Sequence, residues 1–361
     1  MASLTLIGQP FPDIESRTQA AASRCLAEAL AVTAPRGCSS RLIVARDVEP
    51  PRLSSAKATV ESVPINTSSL PLLWRTPATA RPLDGEFVHA NTPLVPLRSR
   101  ADDDGSQTSV VVPHTLAWNA PELMGAGQAK TYRAFVKRAA RLADVLLAPT
   151  HVVAEELEEL YGLEVQVLPL AAPPEYLGTA QSASTRASLG LPDRYIVTTA
   201  LPGANGRLEW LLNAMEQHAE LPPLVVLHFG TEELPPVRES LQGRVHIVRI
   251  EDDLSLVGAV LSGAQLLALP QALLGAGFEV LGALANHVPM LYGDCAAAGE
   301  LALEASVHAE SEAAFTATLA RLTSAAGEDE MRRLRICAED RNHSFDWRST
   351  AWQLWELHAN L

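Results

Sequence analysis

Short apolar runs alternate with amphipathic stretches along most of the chain. "LTLIG" (Leu4 to Gly8) and "RLIVA" (Arg41 to Ala45) have the length and composition of buried parallel strands. Between them, "TQAAASRCLAEALAV" carries the apolar spacing of a helix. The pattern continues with "ATVESVPI", "GEFVHA", "TSVVVPH" and "ADVLLAPT" as strands. It includes a long helix from Gln128 to Arg141 and a second, "HVVAEELEELYG", ended by Gly162 before the strand "EVQVLPL". The Pro- and Ser-rich region from Glu49 to Pro82 has the weakest pattern. Another segment rich in Pro, Ser and Gly, Ala171 to Asp193, reads as a linker.

After that segment the alternation restarts. "YIVTTAL", "PLVVLHFG", "VHIVRI" and "LLALP" read as strands, with helices through "RLEWLLNAMEQH" and "LSLVGAVLSG". A glycine-rich stretch follows, "LPQALLGAGFEVLGALANHVPMLYGD" (Leu269 to Asp294), with the order strand, turn, apolar helix, strand, turn. The chain closes on "FDWRSTAWQLWELHANL", an amphipathic helix whose Trp347, Trp352 and Trp355 are expected mostly to pack. Strands alternating with helices imply α/β architecture, with parallel sheets covered on both faces. The expected domains are 1–175, 176–340 and a terminal helix, 341–361, packing back on the first half. A ligand cleft is expected between the halves, at the carboxyl ends of the strands.

Composition narrows the function. The 361 residues suit two domains, and 47% of them are hydrophobic, enough for packed interiors. Twenty-eight basic against 42 acidic residues give a net charge of −14, which argues against a nucleic-acid partner. The segment "YRAFVKRAARLAD" (Tyr132 to Asp144) reads as a helix with a solvated basic face, and is the best candidate for peripheral membrane contact. Cys25, Cys38, Cys295 and Cys337 show no CxxC pair or metal spacing and read as reduced thiols of a cytoplasmic protein. The first residues lack the pattern of a signal peptide, and no apolar run approaches the roughly 20 residues of a membrane span. No G-x-S-x-G, H-E-x-x-H or Walker loop occurs, so neither metal nor other cofactor is expected.

Four segments together carry a family resemblance. "FVHANTPLVPL" with "SVVVPHTLAWNAPEL" looks like an acceptor-side strand–His–loop region. "FVKRAARLADVLLAPTHVVAEELEELYGLEVQVLPLAAPPEYL", "LLALPQALLGAGFEVLGALANHVPMLYGD" and "FDWRSTAWQLWELH" follow in order. In spacing and sequence they resemble the GT-B glycosyltransferases of family 4, retaining enzymes that use nucleotide sugars, over about two thirds of the chain. The resemblance implies a GT-B fold, α/β, with two Rossmann-like domains facing each other across a cleft.

The implied donor site contains Gly8 in the first loop, Gly203 and Asn205 in the loop after the second domain's first strand, and Gly275, Gly277, Phe278 and Glu279. Glycine lets backbone approach a diphosphate, and the N–H groups that open the following helix attract anions. The family's two glutamates, eight positions apart, fall here on Leu274 and Gly282. Neither side chain accepts a hydrogen bond, and each lost charge-assisted acceptor should cost about 1.5–3 kcal/mol. Of the family's basic pair, the Lys position falls on Gly206, leaving the neighbouring Arg207 to neutralise a leaving diphosphate. Glu279 caps the helix start and opposes an anion there. On the acceptor side, His114–Thr115 stands where the family has a His–Asp pair, so the acidic partner is missing. His89 follows an earlier strand.

The expected catalytic groups are therefore His114 and Arg207, with His89 and Thr115 on the acceptor side. Two functions stay open. One is transfer of a sugar, with retention, from a nucleotide sugar to a glycan, lipid or small-molecule acceptor. The other is a catalytically inactive GT-B homologue, a structural or regulatory partner of an active glycosyltransferase. A nucleotide-sugar epimerase is a third, weaker reading.

Overall fold

The computed structural model describes residues 2–75, 87–99, 105–230, 234–251 and 253–361. Residues 76–82 of the Pro- and Ser-rich region, and Gly85 and Glu86 of one strand candidate, lie outside the described residues. Contacts divide the chain into two units, Met1–Ala171 with Asp346–Leu361, and Ala172–Phe345.

In unit 1 the strands are β1 (Ala2–Ile7), β2 (Cys38–Val44), β3 (Ala58–Ser62), β4 (Phe87–Ala90), β5 (Gln107–Val111), β6 (Val145–Ala148) and β7 (Val165–Val167). Among the described residues they form one parallel sheet in the order β3-β2-β1-β4-β5-β6-β7. The order reverses between β1 and β4. Leu4 and Leu6, two residues apart, share one face of β1. They enter a core with Leu26 and Leu30 of the helix Ser16–Thr33 and with Ala351, Leu354 and Trp355 of the helix Trp347–Asn360. Trp355 Nε1 donates to Leu30 O at 3.2 Å, and Thr350 Oγ1 to Pro169 O at 2.7 Å. These bonds fasten the C-terminal helix to unit 1. Trp352 departs from the stripe and is 56% exposed.

The helix Ala126–Leu142 buries Tyr132, Phe135, Val136 and Ala139 and leaves Lys130, Lys137 and Arg141 exposed. Its apolar residues recur at helical spacing, which is why a segment this basic still docks on the sheet. No helix among the described residues is long and apolar enough to cross a membrane.

Unit 2 holds β8 (Ile196–Thr198), β9 (Leu224–His228), β10 (Val245–Arg249), β11 (Leu266–Leu269), β12 (Met290–Tyr292) and β13 (Ser306–His308). Their parallel sheet runs β10-β9-β8-β11-β12-β13, reversing between β8 and β11. Ile196, Leu224, Val226, Leu266 and Ala268 meet Leu211 and Met215 of the helix Leu208–Gln217 and Phe315 of the helix Glu312–Thr323.

The segment Ala171 to Asp193 differs from its expectation as a linker. From Ala172 it belongs to unit 2, with Tyr176 buried and a helix over Ser182–Ser188. Arg186 Nη1 donates to Ala259 O at 2.9 Å and to Ser262 Oγ at 3.0 Å. Polar composition suggested a free connector, but Arg186 and the backbone N–H of Gly178 tie the segment to distant elements by tertiary hydrogen bonds. The division at 171/172 and 345/346 accordingly lies a few residues from the expected 175/176 and 340/341.

Candidate functional site

In open α/β sheets, ligands bind beyond the carboxyl ends of the strands where the order reverses. In unit 2 that point lies between β8 and β11, and the loops leaving the two strands are joined there. Ala272 N donates to Asn205 O at 2.9 Å, and Gln271 Nε2 to Thr199 Oγ1 at 3.2 Å. Gln271 is 7% exposed, and among the described residues its Oε1 has no hydrogen-bond partner. Thr199 also bonds the Glu279 carboxylate, which accepts in addition from its own backbone N–H. Burial pushes the Glu279 carboxyl up, and those two hydrogen bonds only partly oppose the rise.

The helix Phe278–Ala285 begins at Gly277, whose φ of +82° is left-handed. A Cβ there would meet Leu301 Cδ1 at 2.4 Å, so both conformation and space call for glycine. Gly275 lies in the turn leading to this helix, and Phe278, its first residue, is buried. Leu274 is buried beside Gly277 and Leu301, so apolar contacts fill the first of the two positions where the family has glutamate. At the second, a Cβ on Gly282 would lie 2.7 Å from Tyr176 Cδ1 and 2.9 Å from Leu261 Cδ1. No carboxylate side chain fits there without repacking.

Arg207 opens the helix Leu208–Gln217 with φ 54°, in the left-handed region. Its backbone N–H donates to Gly203 O at 2.8 Å, closing the loop that contains Asn205. The guanidinium pairs with Asp294 (Nη1–Oδ2, 2.7 Å), lies 3.5 Å from Pro270 O, and stacks 4.6 Å from the Trp210 ring centroid. The cation therefore reaches the same strand ends as Gln271, but it already holds a carboxylate.

Unit 1 has its own polar strand ends. His114, after β5, is 1% exposed, and its Nε2 lies 3.4 Å from Asp13 Oδ2. Its ring stacks on Tyr132 at 4.9 Å, and the Tyr132 hydroxyl donates to His114 O at 3.1 Å. Burial pushes the imidazole down, but the Asp13 hydrogen bond and the charges of Asp13 and Glu15 outweigh it and leave His114 above its ordinary value. Asp13 Oδ1 is held by the backbone N–H of Glu15 at 3.0 Å, which orients the carboxylate. Among the described residues His114 Nδ1 has no hydrogen-bond partner. The acidic partner missing beside His114 in the chain thus arrives from the loop after β1, about a hundred residues upstream.

His89 is placed differently from its acceptor-side expectation. It is fully buried, with Nδ1 2.8 Å from Ser109 Oγ and Nε2 3.0 Å from Asn91 Oδ1. Ser109 Oγ is in turn 2.9 Å from His358 Nε2 of the C-terminal helix. Burial and the neighbouring His358 lower His89 to about 3, and burial lowers His358 to about 4. With both nitrogens bonded internally, His89 has none to offer an acceptor. Thr115 is engaged by Glu156 and Asn119. Gly8 N donates to Ile43 O at 3.0 Å, tying the first loop to β2.

The structure thus brings Arg207, Asn205 and Glu279 around one strand-end region of unit 2, and His114 to the corresponding end of unit 1's sheet. Thr199, Gln271, Asp294 and Asp13 were missed from sequence. For Thr199 and Gln271 the available signal was position, the first and second residues past the strands at a sheet reversal.

No family model and no curated protein matches the chain. Solved structures do match its fold end to end. Sucrose-phosphate synthase from Thermosynechococcus elongatus is 16% identical, with a TM-score of 0.71 over 100% of this chain and 99% of that one. HepE from Anabaena, solved in complex with UDP, is 14% identical with a TM-score of 0.62 over 100% of each chain. The α,α-trehalose 6-phosphate synthase from Burkholderia multivorans is 15% identical, with a TM-score of 0.60 over 100% of each chain. The chain has the α/β GT-B fold of these glycosyltransferases.

Proposed function

We propose that the protein transfers a sugar from a nucleotide sugar to an acceptor hydroxyl, with unit 2 binding the donor. The observation that carries this reading is the meeting of Arg207, Thr199, Gln271 and Glu279 at the β8/β11 reversal of a GT-B sheet. Support also comes from HepE, a match to this fold that was solved with UDP, with UDP and glucose, and with UDP-glucose. In the proposed reaction the anomeric C–O bond breaks and its electron pair leaves on the diphosphate. The acceptor oxygen bonds the anomeric carbon, and its proton passes to the departing phosphate. Arg207 releases Asp294 to meet that phosphate, a charge role needing no metal. Retention of configuration, and a glycan, lipid or small-molecule acceptor reached in solution or at a membrane surface, follow the family-4 resemblance. The four cysteines, none in a disulfide, suit a reducing cytoplasm.

Calorimetry with UDP-, GDP- and ADP-sugars tests the proposal. Micromolar binding with release of free nucleotide is the expected result, and silence across the panel would overturn it. A second reading, an inactive homologue that partners an active glycosyltransferase, is favoured by the packing that excludes a carboxylate at Gly282. Silence across the panel together with co-purification of a catalytically competent glycosyltransferase would establish that reading instead.

A further inference from the structure

The hydrogen bonds at the β8/β11 reversal have a fixed direction. An ionised Glu279 carboxylate only accepts, so the Thr199 hydroxyl directs its single proton there. The Thr199 oxygen must then accept from Gln271 Nε2, at 3.2 Å. With its N–H group turned to Thr199, Gln271 presents Oε1 elsewhere, and that buried oxygen has no partner among the described residues. Rotating the amide gives no relief, since its oxygen would face a hydroxyl whose proton is already engaged. A buried acceptor left unpaired is unfavourable, and such groups in native folds call for an explanation.

We infer that Gln271 Oε1 and the remaining lone pairs of Glu279 form an acceptor pair for the vicinal hydroxyls of a sugar ring. Each hydroxyl brings the proton that these oxygens lack. The diphosphate diester of a nucleotide sugar is fully ionised at neutral pH, brings none, and would be repelled by the carboxylate. A phosphate instead has Arg207, which lies against the carbonyl of Pro270, one residue from Gln271. Anion and diol are thus recognised by adjacent but separate groups. The inference rests on the donor-binding reading of unit 2, and the diol belongs either to the nucleotide's ribose or to the transferred sugar.

The test uses Gln271→Leu and, as a second variant, Thr199→Val. Probes are UDP-glucose, GDP-mannose and ADP-glucose, the matching free nucleotides, and the methyl glycosides of glucose and mannose. Affinity is read by calorimetry, or by saturation-transfer NMR for the glycosides. Q271L should keep a melting temperature at or near wild type and bind nucleotide sugar about tenfold more weakly. T199V, which leaves Gln271 Nε2 and the Glu279 carboxylate each short of a partner, should lower the melting temperature and weaken binding as well. Unchanged affinity for the free nucleotide assigns the diol to the transferred sugar, whereas an equal loss assigns it to ribose. If folded variants bind every probe as wild type does, the inference falls while the donor reading stands. If wild type binds a glycoside through Gln271 but no nucleotide sugar, the donor reading falls and the inference stands. Wild type that binds no probe overturns both.

Discussion

The carboxyl ends of the two sheets solve one problem in opposite ways. Beside the β1/β4 reversal, unit 1 pairs a buried imidazole with a buried carboxylate, His114 with Asp13, and among the described residues the ring's remaining nitrogen has no hydrogen-bond partner. At the β8/β11 reversal, unit 2 aligns an amide, a hydroxyl and a carboxylate so that the unbonded atom is an oxygen. The first can become a proton donor when the imidazole is charged, while the second can only receive. Both His114 and Glu279 titrate above their ordinary values, so both sites become more favourable in acid, against the buried His89 and His358 of unit 1. Shared topology therefore fixes where polar groups gather, while the side chains fix what those groups can recognise.

The largest expected effect breaks the comparison on the unit 2 side. Introducing a carboxylate with Gly282→Glu forces atoms into Tyr176 and Leu261 and buries an unpaired charge. Equilibrium denaturation should show a loss of about 3–5 kcal/mol, with no gain in donor affinity.

Acid should next separate the units. His89 and His358, at about 3 and about 4, titrate below the ordinary 6.5, so the unfolded chain binds more protons between those values. Their contribution is complete above about pH 6.5 and declines as pH falls toward 3, by at most about 1.4 kcal/mol per pH unit for each histidine. Glu279 is raised instead, so its site becomes more favourable as pH falls through its folded-state value toward the ordinary 4.5. Hydrogen exchange at pH 5 should show unit 1 loosening first. Equal loosening of the units would remove the contrast.

Removing the charge from Asp13 sharpens the comparison. With Asp13→Asn, burial of His114 acts without its main opposition, and NMR should find the imidazole titrating lower than in wild type. The raised His114 contributes stability below its ordinary 6.5 that is lost as pH rises through its folded-state value. The variant should therefore lose about 2 kcal/mol at pH 6 and less at pH 9.

Arg207→Gly relieves a left-handed residue while deleting the Asp294 pair and the Trp210 stack. These effects offset to within about 1 kcal/mol, yet nucleotide release should disappear. Retained turnover would take Arg207 out of the mechanism. The smallest effect is Glu279→Gln, which should raise the denaturation midpoint at pH 7 by sparing a buried charge.

Much of the architecture was legible because apolar strands alternate with amphipathic helices. The run at Leu266 to Leu269, the helix ended by Gly162, and the helix through Trp347 and Trp355 stand near where their spacing puts them. The segment after Ala171 was misread because a short polar helix fixed by Arg186 looks like a connector in composition. Half of the candidate site was hidden for a similar reason. Leu274 and Gly282 could be seen to lack carboxylates, but Tyr176, which occupies the space beside Gly282, is a hundred residues away. Asp13 reaches His114 over the same sort of separation. Local spacing shows which groups are missing from a motif, and only packing shows what stands in their place.

The docking of Trp355 against the carbonyl of Leu30 sets an order of assembly on the ribosome. Leu26 and Leu30 are synthesised early, yet the helix that covers them emerges only after all of unit 2. Unit 2 can finish while its elder neighbour still waits with an apolar surface uncovered, the condition that recruits chaperones to a growing polypeptide.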